Sequence, residues 1–306
     1  MKIVFAGSPS FAVPALESLI KANKNVVAVF TQPDKPTGRK QVLTPTPVKS
    51  CALSNNLPVY DFKKIRENVE AVKALGADIM ITCAYGQILT QEVLDCFPGG
   101  VWNIHASLLP KFRGASPIQS SILSGETHTG VTIMKTELEI DTGDILLVKR
   151  TEIGNMTCGE LTEKLSLLGA EAAVEAVELL QSGNAQLMLQ DDAKATYCKK
   201  INKEDGKIDF SAKTAHIRGL IKAFSPQPAA FCHFGGAVLN ILNAELSGED
   251  FAGKAGEVVK ADKHGLFVKC GDGTLEITEL QLSGGKVMKA KDFVNGRKIK
   301  VGDFLD

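Results

Sequence analysis

Short apolar runs alternate with segments of helical apolar spacing through the first half of the chain. An apolar run within Lys2–Ala6 ends in Gly7-Ser8-Pro9, and Phe11–Ala22 follows with apolar residues at helical spacing. Val26–Thr31, Ala77–Ala84, Val101–His105, Val131–Lys135 and Asp144–Thr151 read as strands. Glu67–Leu75, Gln91–Cys96, Ile118–Ser124 and Leu161–Gln181 read as helices. Between Gln32 and Val48 the chain is polar and proline-rich, with no period of either kind. Strand–helix alternation with short links predicts an α/β fold: a Rossmann-like, doubly wound, mostly parallel sheet.

The pattern changes near residue 189. A polar stretch with Asp191, Asp192, Lys194, Lys199, Lys200 and Lys203 follows, and it reads as a linker over 190–206. A helix is predicted over Thr214–Ala223. Short strands broken by glycine come next: Phe231–Phe234, Ala237–Asn243, Gly256–Ala261, Gly265–Cys270 and Leu275–Leu282. Such strands predict a small β-barrel over 207–306, behind a catalytic domain over 1–189.

Bulk properties narrow the class. At 306 residues, two domains are the default. Lys+Arg and Asp+Glu both number 35, so total charge does not advertise a nucleic-acid partner, and any such site must be a local patch. The 7 cysteines are dispersed and form no C-x-x-C, which argues against a disulfide framework or a zinc site. The first residues lack the layout of a signal peptide, and no apolar run reaches membrane-spanning length. A reduced, cytoplasmic protein without a structural metal is expected.

Candidate chemistry starts at Val101–Gly114, VWNIHASLLPKFRG. Asn103 and His105 are two apart, so in a strand they share a face. At the carboxyl end of a parallel strand that face opens onto the ligand crevice. An amide beside an imidazole can donate to an oxyanion and move protons. Alone the pair is weak, because strand histidines are commonly structural. Asp141, in Glu139-Ile140-Asp141-Thr142-Gly143-Asp144, is either a turn former or a carboxylate that orients His105 and favours its charged form. Gly7-Ser8-Pro9 lacks the G-x-G-x-x-G dinucleotide fingerprint and reads as a strand-to-helix turn.

N-x-H-x-S-L-L-P-x-x-R-G, then Thr129-Gly130-Val131-Thr132-Ile133-Met134, then Asp141-Thr142-Gly143-Asp144, resemble in order the signature of 10-formyltetrahydrofolate-dependent formyltransferases. Phe5-Ala6-Gly7-Ser8-Pro9, Phe11-Ala12 and Ala84-Tyr85-Gly86 extend the likeness. The resemblance implies that Asn103, His105 and Asp141 are the catalytic set and that Ser107, Leu108, Leu109 and Pro110 lie against the folate. It further implies that Tyr85, Gly86, Gln87, Ile88 and Leu89 line the pterin pocket. Formyl transfer needs neither a metal nor a covalent intermediate, and a charged His105 is expected to stabilise the oxyanion beside Asn103.

Two regions choose the branch of that family. Residues 32–49 carry Lys35, Arg39, Lys40 and Lys49 against one acid, Asp34. They resemble the loop that formyltransferases acting on methionyl-tRNA place against the acceptor arm, with Arg39 as the main contact. Phosphate contacts require such local cationic charge. The C-terminal region resembles that branch's OB-like tRNA-binding domain, with Lys286, Lys289, Lys291, Arg297, Lys298 and Lys300 near one acid, Asp292. Phe11 is a candidate wall of the methionine pocket. Initiator methionyl-tRNA is therefore the expected partner of a monomeric enzyme; an amino-sugar nucleotide or other small amine is the alternative acceptor. The chain departs from the family pattern at Glu139, where glycine is common, and at Ser225 and Gln227, where relatives commonly read Asn-Pro-Trp-Pro.

Overall fold

A computed structural model describes residues 1–38, 41–296 and 299–306. Arg39, Lys40, Arg297 and Lys298 therefore lie outside the described residues. By internal contacts the chain divides into two units. Unit 1 comprises Met1–Pro117, His128–Glu152 and Thr162–Cys198; unit 2 comprises Ile118–Thr127, Ile153–Leu161 and Lys199–Asp306.

In chain order the strands of unit 1 are β1 (Ile3–Gly7), β2 (Val26–Phe30), β3 (Lys35–Thr37), β4 (Val42–Thr44), β5 (Val59–Tyr60), β6 (Ile79–Cys83), β7 (Val101–His105), β8 (Arg113–Gly114), β9 (His128–Lys135), β10 (Ile145–Glu152) and β11 (Tyr197–Cys198). The helices of the chain are α1 (Val13–Lys21), α2 (Pro47–Ser54), α3 (Val69–Lys73), α4 (Gln91–Leu94), α5 (Pro117–Leu123), α6 (Cys158–Ser182), α7 (Thr214–Phe224) and α8 (Ala290–Asn295).

Seven strands form one sheet in the order β10-β9-β7-β6-β1-β2-β5. From β5 to β7 the pairing is parallel; β9 and β10 run antiparallel at one edge. Counting only the parallel strands in chain order, the arrangement is 3-2-1-4-5, the doubly wound order whose ligand crevice lies at the carboxyl ends, where the order reverses between β1 and β6. Every residue of β1 and β6 is buried, as strands covered on both faces must be. Val4, Ala6, Phe30, Met80 and Val101 meet Ile65, Val72, Val93 and Phe97 in one core cluster.

The proline-rich stretch is not a bare loop. β3 and β4 pair as an exposed antiparallel hairpin, Lys35 opposite Thr44 and Thr37 opposite Val42. Residues 190–198 cluster with unit 1 and supply β11, which pairs with β8. In unit 2 the predicted strands all form: β12 (Ala230–Phe234), β13 (Ala237–Leu246), β14 (Val258–Asp262), β15 (Gly265–Lys269) and β16 (Thr274–Leu282). With β17 (Met288–Lys289) they make a six-stranded antiparallel sheet. No helix among the described residues is long and apolar enough to cross a membrane.

Candidate active site

The site is organised by three strand ends of unit 1. At the end of β1, a Cβ on Gly7 would lie 2.9 Å from Ala12 Cβ and 2.9 Å from the Cys83 carbonyl oxygen, so the turn closes only with glycine there. Ser8 Oγ donates to the Tyr85 carbonyl (3.3 Å) and accepts from the Gln32 N–H (3.1 Å). Gln32 Nε2 in turn donates to the carbonyls of Tyr85 (3.2 Å) and Gly86 (3.0 Å). The Gly7-Ser8-Pro9 turn is thus a joint between the root of the hairpin and the turn that follows β6.

Within β7, Asn103 is half-buried and His105 is buried, and they share a face as the spacing predicts. Asn103 pairs in register with Thr82 of β6. Thr82 Oγ1 donates to Asn103 Oδ1 over 2.9 Å. That bond fixes the sense of the amide and leaves the Nδ2 hydrogens for whatever enters the crevice.

His105 stands between two acceptors. Its Nε2 lies 3.0 Å from the Phe112 carbonyl oxygen, and its Nδ1 lies 3.5 Å from Asp141 Oδ2. The structure therefore brings Asp141 to His105 across 36 residues of sequence. Burial holds the His105 pKa below its ordinary value of 6.5, while the Asp141 charge and the Phe112 carbonyl oppose that shift without cancelling it. Removal from water thus outweighs one neighbouring carboxylate at 3.5 Å and works against the charged form that the Asp141 pairing favours.

Asp141 adopts φ 55°, and its Oδ2 accepts the Gly114 N–H over 2.8 Å. Gly114 itself has φ 116°, and a Cβ there would collide with the Cys198 carbonyl oxygen. Arg113, only 1% exposed, donates from Nε and Nη2 to Gln190 Oε1 and from Nη2 to Asp192 Oδ1 (2.7 Å). Gln190 Nε2 donates to the carbonyls of Asp141 and Gly143. Thr82, Phe112, Gly114, Arg113 and Gln190 were not singled out from sequence. Phe112, Arg113 and Gly114 lie inside the motif that carries the resemblance; nothing in the sequence marks Thr82 or Gln190.

The other expected contacts divide into committed and free side chains. Ser107 is fully buried, with Oγ donating to the Lys111 carbonyl (2.6 Å), and Leu109 packs with Met134 and Ile145. Gln87 is tied to the Ile65 N–H and the Phe62 carbonyl, each at 2.7 Å. Tyr85 packs into the core with its hydroxyl unpartnered, and burial pushes its pKa up. Leu108, Pro110, Gly86 and Leu89 keep accessible surface, and Ile88 is 75% exposed. A cavity of about 750 Å³ lies beside Val101, Trp102, Leu94, Phe97, Lys135 and Leu138. It contains none of Asn103, His105 or Asp141; β7, which carries Asn103 and His105, and residues 136–139, which lead toward Asp141, both line it.

Lys35 is exposed on β3. Lys49 is not: its Nζ bridges Asp34 (2.7 Å) and Asp61 (2.8 Å), and these two carboxylates raise its pKa. Phe11 is half-buried in the first turn, where its carbonyl accepts from Ser166 Oγ (2.9 Å). Lys286, Lys289, Lys291 and Lys300 are exposed in unit 2.

Comparison with known proteins agrees with the layout. Residues 1–177 match the formyl transferase family, and residues 200–298 match the formyl transferase C-terminal domain. A methionyl-tRNA formyltransferase of Stutzerimonas stutzeri is 44% identical over 301 residues, covering 97% of this chain and 95% of its own. One from Coxiella burnetii is 41% identical over 304 residues, covering 98% and 97%. Among solved structures, HypX from Aquifex aeolicus in complex with tetrahydrofolic acid shares the fold, with a TM-score of 0.67 at 18% identity; it matches 100% of this chain, which spans 50% of HypX. The chain belongs to the formyl transferase family.

Proposed function

We propose that this protein transfers the formyl group of 10-formyltetrahydrofolate to the free α-amine of methionine on initiator tRNA, in the cytoplasm, at the start of translation. The observation that carries the reading is its near-full-length likeness, at 41–44% identity, to methionyl-tRNA formyltransferases. The side chains fit the chemistry. Gly86, Ile88, Leu89, Leu108 and Pro110 offer accessible apolar surface to the folate, and the unpartnered Tyr85 hydroxyl is an orphaned polar atom in the same segment.

The amine attacks the formyl carbon, and the carbonyl oxygen gains negative charge. Asn103 Nδ2 donates to that oxygen; a preorganised donor of this kind lowers a barrier by about 3 kcal/mol. His105, whose burial disfavours a resting cation, takes the proton that the amine loses. The resulting imidazolium finds the Phe112 carbonyl at one nitrogen and Asp141 at the other. As the bond from carbon to N10 breaks, the proton returns to N10 of the leaving tetrahydrofolate. Ser107 is no nucleophile, because its hydroxyl is committed to the Lys111 carbonyl. Lys35, Arg39 and Lys40 supply the positive charge that tRNA phosphates require, and Lys49 ties Asp34, beside the hairpin, to Asp61. The deciding assay supplies 10-formyltetrahydrofolate with methionyl initiator tRNA, a charged elongator tRNA or an amino-sugar nucleotide. Formylation of methionyl initiator tRNA is expected; formylation of the sugar alone would reject the reading.

A further inference from the structure

The turn that carries Asp141 has little apolar packing of its own. Its flanking Leu138 and Ile140 are 66% and 67% exposed, and Asp141 itself sits in the left-handed region, which side chains with a Cβ rarely adopt. One side chain spans the turn. Gln190 Nε2 donates to the Asp141 carbonyl over 2.9 Å and to the Gly143 carbonyl over 2.7 Å. Gln190 Oε1 accepts from Arg113 Nε over 3.1 Å and from Arg113 Nη2 over 2.8 Å. Both hydrogens and both lone pairs of the amide are used. Rotating the amide would set its NH₂ against guanidinium hydrogens and its oxygen against two carbonyls, so only one orientation is possible.

These bonds close a ring. Asp141 Oδ2 accepts from the Gly114 N–H, Gly114 is joined to Arg113, Arg113 holds Gln190, and Gln190 holds the Asp141 carbonyl. The carboxylate and the backbone of one residue are thus gripped from the same two-residue strand, β8. We infer that Gln190 is a positioning residue for the formyl-transfer site: it fixes the Asp141 turn so that the carboxylate faces His105 Nδ1. The inference rests on the reading of Asp141 as a member of the catalytic set.

The test is steady-state formyl transfer to methionyl initiator tRNA by Gln190→Ala and Gln190→Glu, each made in the parent and in an Asp141→Asn background. Displacing a catalytic group by about an ångström costs on the order of a hundredfold, so Gln190→Ala should lower kcat about 10- to 100-fold with little change in KM for tRNA. That loss should vanish when Asp141 is already Asn, because the two residues act as one unit. Gln190→Glu keeps the Arg113 contact but turns a carboxylate toward two carbonyls, and it should fall at least as far. It also serves as the folded comparison if the alanine variant is unstable. Unchanged kcat in Gln190→Ala, or an equal loss in both backgrounds, would overturn the positioning role. Asp141→Asn with parental turnover would instead overturn the catalytic reading of Asp141, and this inference with it.

Discussion

The Thr82 hydroxyl donates to Asn103 Oδ1 over 2.9 Å, from the neighbouring strand and in register, and so decides which end of the amide faces the crevice. Thr82→Val keeps the shape and removes the donor. One net hydrogen bond is worth about 1 kcal/mol, so kcat is expected to fall roughly fivefold as the amide samples the wrong orientation. Thr82→Ser should restore most of it. Steady-state kinetics of the two variants side by side make the comparison.

His105→Ala removes the proposed proton acceptor. General acid–base catalysis contributes about 10²- to 10⁴-fold, and turnover is expected to drop within that range while tRNA binding persists. A variant with near-parental turnover would remove His105 from the mechanism.

The buried His105 also predicts how stability depends on pH. Its folded pKa lies below 6.5, so the unfolded chain binds this proton more readily. The contribution is fully present above pH 6.5. It is lost progressively as pH falls from there toward the folded value. The slope is at most about 1.4 kcal/mol per pH unit for one proton. Urea unfolding of His105→Gln at pH 7 and pH 5.5 should show a smaller difference than the parent; an equal difference would show that His105 does not carry this dependence.

Gln32 joins the root of the hairpin to the Tyr85–Gly86 turn through two hydrogen bonds. Gln32→Ala should loosen that turn and raise KM for 10-formyltetrahydrofolate several-fold more than KM for tRNA. A rise confined to tRNA would place its influence on the hairpin alone.

Lys49 and Lys35 should separate cleanly. Each phosphate contact adds about one to the salt dependence of nucleic-acid binding, so Lys35→Ala should flatten the salt slope of tRNA affinity by about one. Lys49→Ala should leave that slope unchanged and instead lower stability by about 1 kcal/mol, because Asp34 and Asp61 then face each other without a cation. Asp61→Asn in the same background should recover part of the loss.

What the sequence made legible follows from periodicity and spacing. β1 and β2 are continuous apolar runs and β6 is broken only by Thr82, and a buried parallel strand can look like little else. Asn103 and His105 could be put on one face because the strand period is 2. The antiparallel edge of β9 and β10 was not legible, since strand direction leaves no trace in hydrophobic pattern. The hairpin of β3 and β4 was missed because both strands are wholly exposed and have no buried face to impose alternation. The downward push on the His105 pKa comes from burial, which spacing does not report. The polarity that made 190–198 look like a linker is the same polarity that Arg113 and the Asp141 turn require: Gln190 and Asp192 are polar because they face a buried guanidinium.

The pairing of β8 with β11 has a consequence for anyone who would move this chemistry elsewhere. Asn103, His105 and Asp141 are all present in a fragment that ends at residue 189, yet that fragment lacks the strand against which Arg113 and Gly114 are aligned. During synthesis, too, the trio leaves the ribosome well before Tyr197 and Cys198 do. A transplanted catalytic module would therefore have to be cut after residue 198, and a nascent chain completes its site only once that short strand has arrived.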